Sequence, residues 1–402
     1  MIRLLIVTYN FPPEGGPAVQ RISKFIKYLA QFDTKIFVLT ASKKIKIKDE
    51  SLLADVKNCT VISSADYGKY FPGELKKIFW KYFIPDKSNL WKISAVKKGI
   101  KIVKKENVDL IISTSPPHST HLIAGKIAKQ TKTKWITDFR DEWIDNSLFV
   151  KSKLKEKQKH MEISVLKNCN HIITVTNKAK NNFARRIESS KISVIENGFD
   201  EDDFNEISLS DKNDVKKLVI SYSGRFNELH SPKVFFTAMS QLIIENKIDT
   251  ENLSVNIIGN IENKKWLNNF PNLNSVVTFI NYLPHKQMLN ELGKADVLLL
   301  LATNMNLTEF FPAKMFEYFR LRKPIFAVVS SKGELSNLLS EYGNSLMFLE
   351  ADIEKIKSGL LNLLKKKKEE INKVKVSEEF LERFNRKNQA FKLYEQIKNQ
   401  VG

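Results

Sequence analysis

Short runs rich in isoleucine and valine alternate with helix-period stretches along nearly the whole chain, and this alternation restricts the fold more than any other feature. In the first half the runs fall at residues 3–8, 35–40, 60–63, 108–113, 134–138, 171–176 and 192–195. Between them apolar residues return at helical spacing. Val19, Ile22, Ile26 and Leu29 form one such series, and Ile93, Val96, Ile100 and Val103 another. The rhythm pauses across residues 197–216, NGFDEDDFNEISLSDKNDVK, an acidic, polar segment that reads as a linker. It resumes with runs at 218–223, 253–259, 276–280, 297–302, 325–329 and 346–349. Helices are expected at 234–245 and 311–319, and a final helix over 378–399 has no strand after it.

Strands separated by helices predict βαβ units and parallel sheets. A chain of 402 residues exceeds the size of one ordinary core. The expected fold is therefore α/β, with two Rossmann-like doubly wound domains. The first spans 1–200 and the second 201–375, with a C-terminal helix in 376–402 able to pack back on the first domain. Ligands of open parallel sheets sit beyond the carboxyl ends of the strands. Two such sheets facing each other would frame a cleft, so functional residues are expected in strand-to-helix loops.

Hydrophobic content of 42% and charged content of 27% describe a globular protein. No apolar run approaches the roughly 20 residues that cross a bilayer. The start, MIRLLIVTYN, is a strand-length run without the small-residue cleavage site of a signal peptide, so a cytoplasmic location is expected. Cys59 and Cys169 fit that compartment and cannot build a disulfide framework. The net charge of +20 points to nucleic acid, an anionic membrane or phosphate-bearing small substrates, or else reflects a genome-wide preference for lysine. No RNA- or DNA-binding module is recognisable, so nucleic acid is not the expected partner.

Three loops carry candidate chemistry. In YNFPPEGGPAVQR, Gly15 and Gly16 remove side chains where a strand gives way to a helix, and Pro17 fits the first helical position. Such a turn either admits an anion to the free N–H groups of the helix start or is simply tight. It is neither the G-x-G-x-x-G pattern nor a P-loop, whose lysine is missing. In SYSGRFNELHSP, Gly224 is followed at once by Arg225, either a bidentate clamp for a diphosphate or a surface arginine. In EFFPAKMFEYF, Glu309 precedes a helix start marked by Pro312 and Glu317 lies within that helix, whose buried side is Met315, Phe316 and Phe319. A loop carboxylate can accept hydrogen bonds from sugar hydroxyls, and one in the helix can grip a ribose diol. Between them Phe311 to Lys314 offer free N–H groups and the lysine charge to a phosphate. The plain alternative is an amphipathic helix with incidental glutamates.

In their order these loops resemble the retaining glycosyltransferases of family 4, which have the GT-B fold. The likeness runs over nearly the whole chain, through DLIISTSPPHSTHLIAGKIAK, WITDFRDEW, VIENGFD, YSGRF and NYLPHKQMLNELGKADVLLLL to EFFPAKMFEYFRLRKPIFAV. The E-x7-E pair Glu309 and Glu317 is its most recognisable part. The S-P-P and D-F-R-D-x-W stretches look like the subgroup that builds bacterial surface polysaccharide, O-antigen or capsule. The resemblance implies a nucleoside-diphosphate sugar as donor, bound mainly by the second domain. Glu317 would hold the ribose hydroxyls and Glu309 the donor sugar. Arg225 would neutralise the pyrophosphate, which Gly15 and Gly16 would admit from the first domain. Leu283 would contact the nucleobase through its backbone.

Two positions depart from the family. Ser231 stands where many relatives have a lysine six residues after the arginine, and Lys314 or Lys233 would have to supply that charge. Arg140 stands where many relatives have a histidine. A guanidinium that stays protonated cannot be an acid–base catalyst, so Arg140 and Asp141 are expected to orient acceptor or sugar. His118 remains a candidate beside the active centre, or else caps the next helix. Neither a metal nor another cofactor is expected. Asp138 and Asp141 suggest a metal motif, but their spacing and the family oppose it.

The acceptor that the resemblance implies is a lipid-linked saccharide at the inner leaflet or an oligosaccharide. Residues 75–85, LKKIFWKYFIP, mix lysines and aromatics in a way that suits an anionic membrane surface or a domain core. Rival readings are a non-hydrolysing nucleotide-sugar epimerase, which shares the two-domain architecture, and a GT-B protein that binds without catalysis.

Overall fold

The computed structural model describes residues 1–45, 47–70, 84–146, 154–207, 217–259, 261–303, 311–331, 333–366 and 375–402. Glu309 and residues 75–83 lie outside them. The chain divides into two compact units, Met1–Asn197 with Arg386–Gly402, and Gly198–Asn385.

The first unit is built on seven parallel strands: β1 (Ile2–Val7), β2 (Thr34–Ser42), β3 (Cys59–Ala65), β4 (Leu110–Ser115), β5 (Lys134–Phe139), β6 (His171–Thr174) and β7 (Ile192–Val194). Their order is β3-β2-β1-β4-β5-β6-β7. The helices are α1 (Pro17–Leu29), α2 (Lys92–Glu106), α3 (Ser119–Thr131), α4 (Lys155–Asn168) and α5 (Asn177–Ala184). Parallel strands covered on both faces bury both sets of side chains. In β4 all six residues are buried, and two apolar clusters form, one around Trp91, Trp135 and Phe139 and one around Phe25, Ile26 and Leu29.

The second unit repeats the plan with β8 (Leu218–Ser223), β9 (Leu253–Ile258), β10 (Val277–Ile280), β11 (Val297–Ala302), β12 (Ile325–Val329) and β13 (Ser345–Leu349), in the order β10-β9-β8-β11-β12-β13. Its helices are α6 (Lys233–Ile244), α7 (His285–Gly293), α8 (Ala313–Leu321), α9 (Glu334–Tyr342), α10 (Ile353–Lys365) and α11 (Glu378–Arg383). Each sheet reverses its strand order once, between β1 and β4 and between β8 and β11. The loops leaving those strands are where doubly wound sheets place ligands. They are also the loops that the sequence singles out.

Two expectations need revision. The linker expected at 197–216 is not loose at its start: Phe199 and Phe204 are buried in the second unit's core, and Arg320 donates to both carboxylate oxygens of Glu201. The single final helix is two. The chain breaks at Phe384 and Asn385, where the Phe384 carbonyl accepts from the Phe199 N–H at 3.0 Å and its ring packs on Phe316 and Phe380. Residues 376–385 thus stay with the second unit, and only α12 (Arg386–Val401) belongs to the first. There Ala390, Leu393 and Ile397 are buried in the same cluster as Phe25 and Leu29 of α1, and Tyr394 stacks on Phe32 with ring centroids 4.2 Å apart.

Candidate functional site

In the second unit the site grows from the end of β8. Gly224 has φ +121°, a region L side chains rarely adopt, and a Cβ there would stand 3.4 Å from Lys314 Nζ. Gly259, at the end of β9, has φ +141°, and a Cβ on it would lie 2.8 Å from the Gly224 carbonyl oxygen. Bare backbone at Gly224 leaves room for the lysine, and at Gly259 for the Gly224 backbone. Its Nζ donates to the Ser223 carbonyl at 2.8 Å and stands 3.6 Å from the centroid of the Tyr222 ring, a cation–π contact. Burial pushes the Lys314 ammonium well below its usual pKa, and the charge of Glu317 opposes the shift. Tyr318, on the same helix, accepts from the Ser223 N–H at 3.1 Å. Thus α8 is pinned to the end of β8 by two of its own side chains.

Pro312 precedes α8, and no side chain caps the helix. The Met315 N–H donates to the Pro312 carbonyl at 2.9 Å, so the N–H groups of Ala313 and Lys314 and the positive end of the dipole remain for an anion. Phe311 packs edge-on against Phe316. Glu317 is buried, with 8% of its surface exposed, and its Oε1 accepts from His285 Nε2 at 2.7 Å. Leu283 is half-buried two residues before His285. Gly224, Phe311, Pro312, Lys314 and Glu317 therefore gather around the α8 N-terminus and the end of β8. Arg225 leaves the same strand end but is largely exposed and paired to Glu262 at 2.9 Å.

Ser231, at the position of the family lysine, is absorbed into its loop. Its N–H donates to Thr303 Oγ1 at 2.9 Å, and its hydroxyl accepts from the Lys233 N–H at 3.3 Å. Lys233 itself is exposed. The cation that reaches the strand end is Lys314. Beside it, His230 donates Nδ1–H to the Leu301 carbonyl at 2.8 Å, and burial with the nearby Lys314 pushes its pKa down to about 4. Sequence reading missed His230, His285 and Arg21.

In the first unit Gly16 has φ +101° with open space where a Cβ would stand, and α1 begins behind it without a side-chain cap. Gly15 donates its N–H to the Ile47 carbonyl at 3.0 Å. The structure gives the D-F-R-D stretch partners other than those expected. Arg140, expected to orient acceptor or sugar, donates to three carbonyl oxygens: Ser115 at 2.7 Å, Pro116 at 2.9 Å, and Ala18. Its guanidinium is buried and holds the loop after β4 against the start of α1. Asp138 accepts from the fully buried Arg21 at 2.9 Å and from Thr114 Oγ1 at 2.8 Å. Asp141 is half-buried, and burial raises its pKa against the pull of Arg140. His118 is buried, its ring stacked on Trp143 at 4.9 Å, and burial with the nearby His121 and Arg140 keeps its pKa well below the usual value.

Two family models match in tandem, Glycosyltransferase Family 4 over residues 16–203 and Glycosyl transferases group 1 over residues 203–379. No curated protein sequence matches significantly. Solved structures share the fold over the full length. The Anabaena Alr3699/HepE structure in complex with UDP and glucose aligns at TM-score 0.69 and 12% identity, covering 99% of this chain and 100% of that one. The lipopolysaccharide outer core galactosyltransferase WaaB aligns at 0.61 and 14%, covering 98% and 100%. The Neisseria meningitidis UDP-GlcNAc 2-epimerase bound to UDP-GlcNAc aligns at 0.59 and 12%, covering 99% and 100%. Two doubly wound parallel-sheet units of this kind define the GT-B architecture. The tandem models make the chain a family 4-like glycosyltransferase.

Proposed function

We propose that the protein moves a hexosyl group from a nucleoside-diphosphate sugar to a saccharide acceptor, with retention of configuration and without a metal. One observation carries the donor reading. A largely buried ammonium, Lys314, and an uncapped helix start converge at a strand end kept bare by Gly224, with the Glu317 carboxylate one turn further along α8. A diphosphate needs the first three, and a ribose diol the fourth.

Transfer breaks the bond between sugar C1 and the diphosphate oxygen and forms one from C1 to an acceptor oxygen on the same face. The acceptor hydroxyl proton passes to the departing diphosphate. Positive charge grows on the sugar ring and negative charge on the leaving group. Lys314, Arg225 and the start of α8 meet that negative charge with fixed positive groups. Glu309 would contact the donor sugar.

The acceptor is proposed to be lipid-linked, in bacterial surface-polysaccharide synthesis at the cytoplasmic face of an anionic membrane. The likeness to the subgroup motifs and to a lipopolysaccharide galactosyltransferase supports this. So does a lysine-rich face: residues 92–134 hold ten lysines against two acidic side chains, Glu106 and Asp109. No helix among the described residues is long and apolar enough to cross a membrane.

A thermal-shift screen with UDP, GDP, ADP and their common sugars identifies the donor. Turnover is then assayed with and without acceptor saccharides. Acceptor-dependent release of nucleoside diphosphate is expected. Epimerised donor without acceptor would support the epimerase reading instead, and binding without any turnover a non-catalytic role. Arg225→Ala should fold and lose about 100-fold or more in turnover, the scale seen when a fixed charge-stabilising donor is removed.

A further inference from the structure

The carboxylate that α8 offers to a ligand is not held by α8 alone. Glu317 Oε1 accepts from His285 Nε2 at 2.7 Å, and His285 Nδ1 lies 3.6 Å from Asp203 Oδ2. All three residues are buried at 8% exposure each. They come from three separate places: Asp203 from the short helical turn Glu201–Asp203, His285 from the first position of α7, and Glu317 from the middle of α8. The turn is itself fastened to α8, because Arg320 donates to both carboxylate oxygens of Glu201 at 2.8 and 2.7 Å. No hydrogen bond from the described residues reaches Glu317 Oε2.

We propose that His285, backed by Asp203, is a positioning residue that locks one oxygen of Glu317 and aims the other at the nucleotide's ribose diol, so that selectivity for ribose over 2′-deoxyribose depends on His285. The proposal rests on the reading of Glu317 as the ribose ligand. A glutamate side chain has three rotatable bonds, and a diol is held well only by a carboxylate with a fixed direction. The imidazole supplies that fixity: its Nε2–H can point only at Oε1, while Asp203 faces its other nitrogen. His285 does not touch the diol. It acts through Glu317, so its loss should be felt at the ribose hydroxyls, most where both are present, and nowhere else on the nucleotide.

The test is calorimetric titration of the full chain with UDP, GDP and ADP and with their 2′-deoxy counterparts. The wild type should prefer the ribonucleotide of the pair that binds by about tenfold to a hundredfold, the worth of a hydrogen bond to a charged group. His285→Ala should lose most of that preference, its affinity for the 2′-deoxynucleotide, which keeps only the 3′-hydroxyl, falling less than its affinity for the ribonucleotide. Glu317→Gln should lose it too, and the double variant should lose no more than either single one. His285→Gln, whose amide can still donate to Oε1, should restore part of the preference and serves if the alanine variant does not fold. Preference retained in His285→Ala, or additive losses in the double variant, would overturn the role of His285 and leave the donor site standing. A wild type that binds none of the nucleotides, or binds one without preferring ribose, would overturn the reading of Glu317 itself and this proposal with it.

Discussion

Lys314 reaches back from the first turn of α8 to the carbonyl oxygen of Ser223, the last residue of β8. The bond ties the helix start to the strand end, and it holds a cation in surroundings that disfavour charge. Burial is the main cause of its lowered pKa. The unfolded chain, with lysine near its ordinary value of about 10.4, therefore holds more protons than the folded chain between the two pKa values. Stability must rise with pH across that window.

Lys314→Met should remove this pH dependence, and near neutral pH it should be at least as stable as the wild type. Its affinity for nucleoside diphosphate should fall about tenfold or more, the worth of a charge-assisted hydrogen bond. A bound diphosphate favours the ammonium and raises its pKa. The wild type should then take up protons on binding UDP at pH values between the free and bound pKa of Lys314, read by calorimetry across a pH series in buffers of different ionisation enthalpy. Equal proton uptake in wild type and variant would remove Lys314 from the diphosphate site.

The three loop glycines differ in what a side chain would meet, so their alanine variants should rank. Gly16→Ala places a Cβ in open space at φ +101° and ψ 170° and bears conformational strain alone, about 1–3 kcal/mol. Gly224→Ala adds a contact with the end of Lys314, whose flexible side chain can give way. Gly259→Ala sets its Cβ 2.8 Å from the backbone oxygen of Gly224, where nothing yields without moving β8. Urea denaturation should show Gly259→Ala as the least stable and Gly16→Ala as the most stable of the three. A Gly259→Ala protein as stable as Gly16→Ala would mean that the two strand ends are not packed as described.

Arg21 and Asp138 make the D-F-R-D stretch architectural. The arginine side chain is fully buried and also donates to the Ile195 carbonyl at 2.9 Å and the Glu196 carbonyl at 2.8 Å, joining α1, β5 and the segment after β7. Removing one member of a buried ion pair strands the other, at a cost of about 3–5 kcal/mol. Arg21→Ala should show that loss in equilibrium denaturation. Turnover per folded molecule should stay within a few-fold of wild type. A stable variant with abolished turnover would return this pair to the reacting centre.

The strands could be read because parallel strands buried on both faces appear in sequence as unbroken apolar runs. Segments 218–223, 297–302 and 325–329 coincide with β8, β11 and β12 to the residue. The break between α11 and α12 could not be read. No proline or glycine marks Phe384, and its conformation is set by the Phe199 N–H, nearly two hundred residues away in sequence. The same reason hid Arg21, His230 and His285, whose partners are Asp138, the Leu301 carbonyl and Glu317. Sequence spacing shows neighbours on one helix, whereas these contacts arise only when elements far apart in sequence pack together. The part Arg140 plays in the fold was hidden for a related reason. A guanidinium in a loop after β5 reads as a ligand contact until the carbonyls that surround it are seen.

The lysines of α2 and α3 bear on membrane attachment. Lys97, Lys101, Lys104, Lys126 and Lys129 are exposed, and no carboxylate among the described residues pairs with them. Ile93, 63% exposed, lies near them and lines a groove of about 640 Å³ with Lys97 and Lys126. Unpaired lysines gain where anionic lipid concentrates negative charge, by about 1 kcal/mol each near the surface. The wild type should therefore sediment with vesicles containing phosphatidylglycerol and not with pure phosphatidylcholine, and 0.5 M salt should release it. Changing Lys97, Lys126 and Lys129 together to glutamate replaces three attractions with three repulsions and should abolish sedimentation. Nucleoside diphosphate affinity should be unchanged, since these residues lie in a different unit from Lys314 and Glu317. Undiminished binding by the triple variant would place the contact elsewhere, with residues 75–83 the next segment to alter, while equal binding of the wild type to both vesicles would remove electrostatics as its cause.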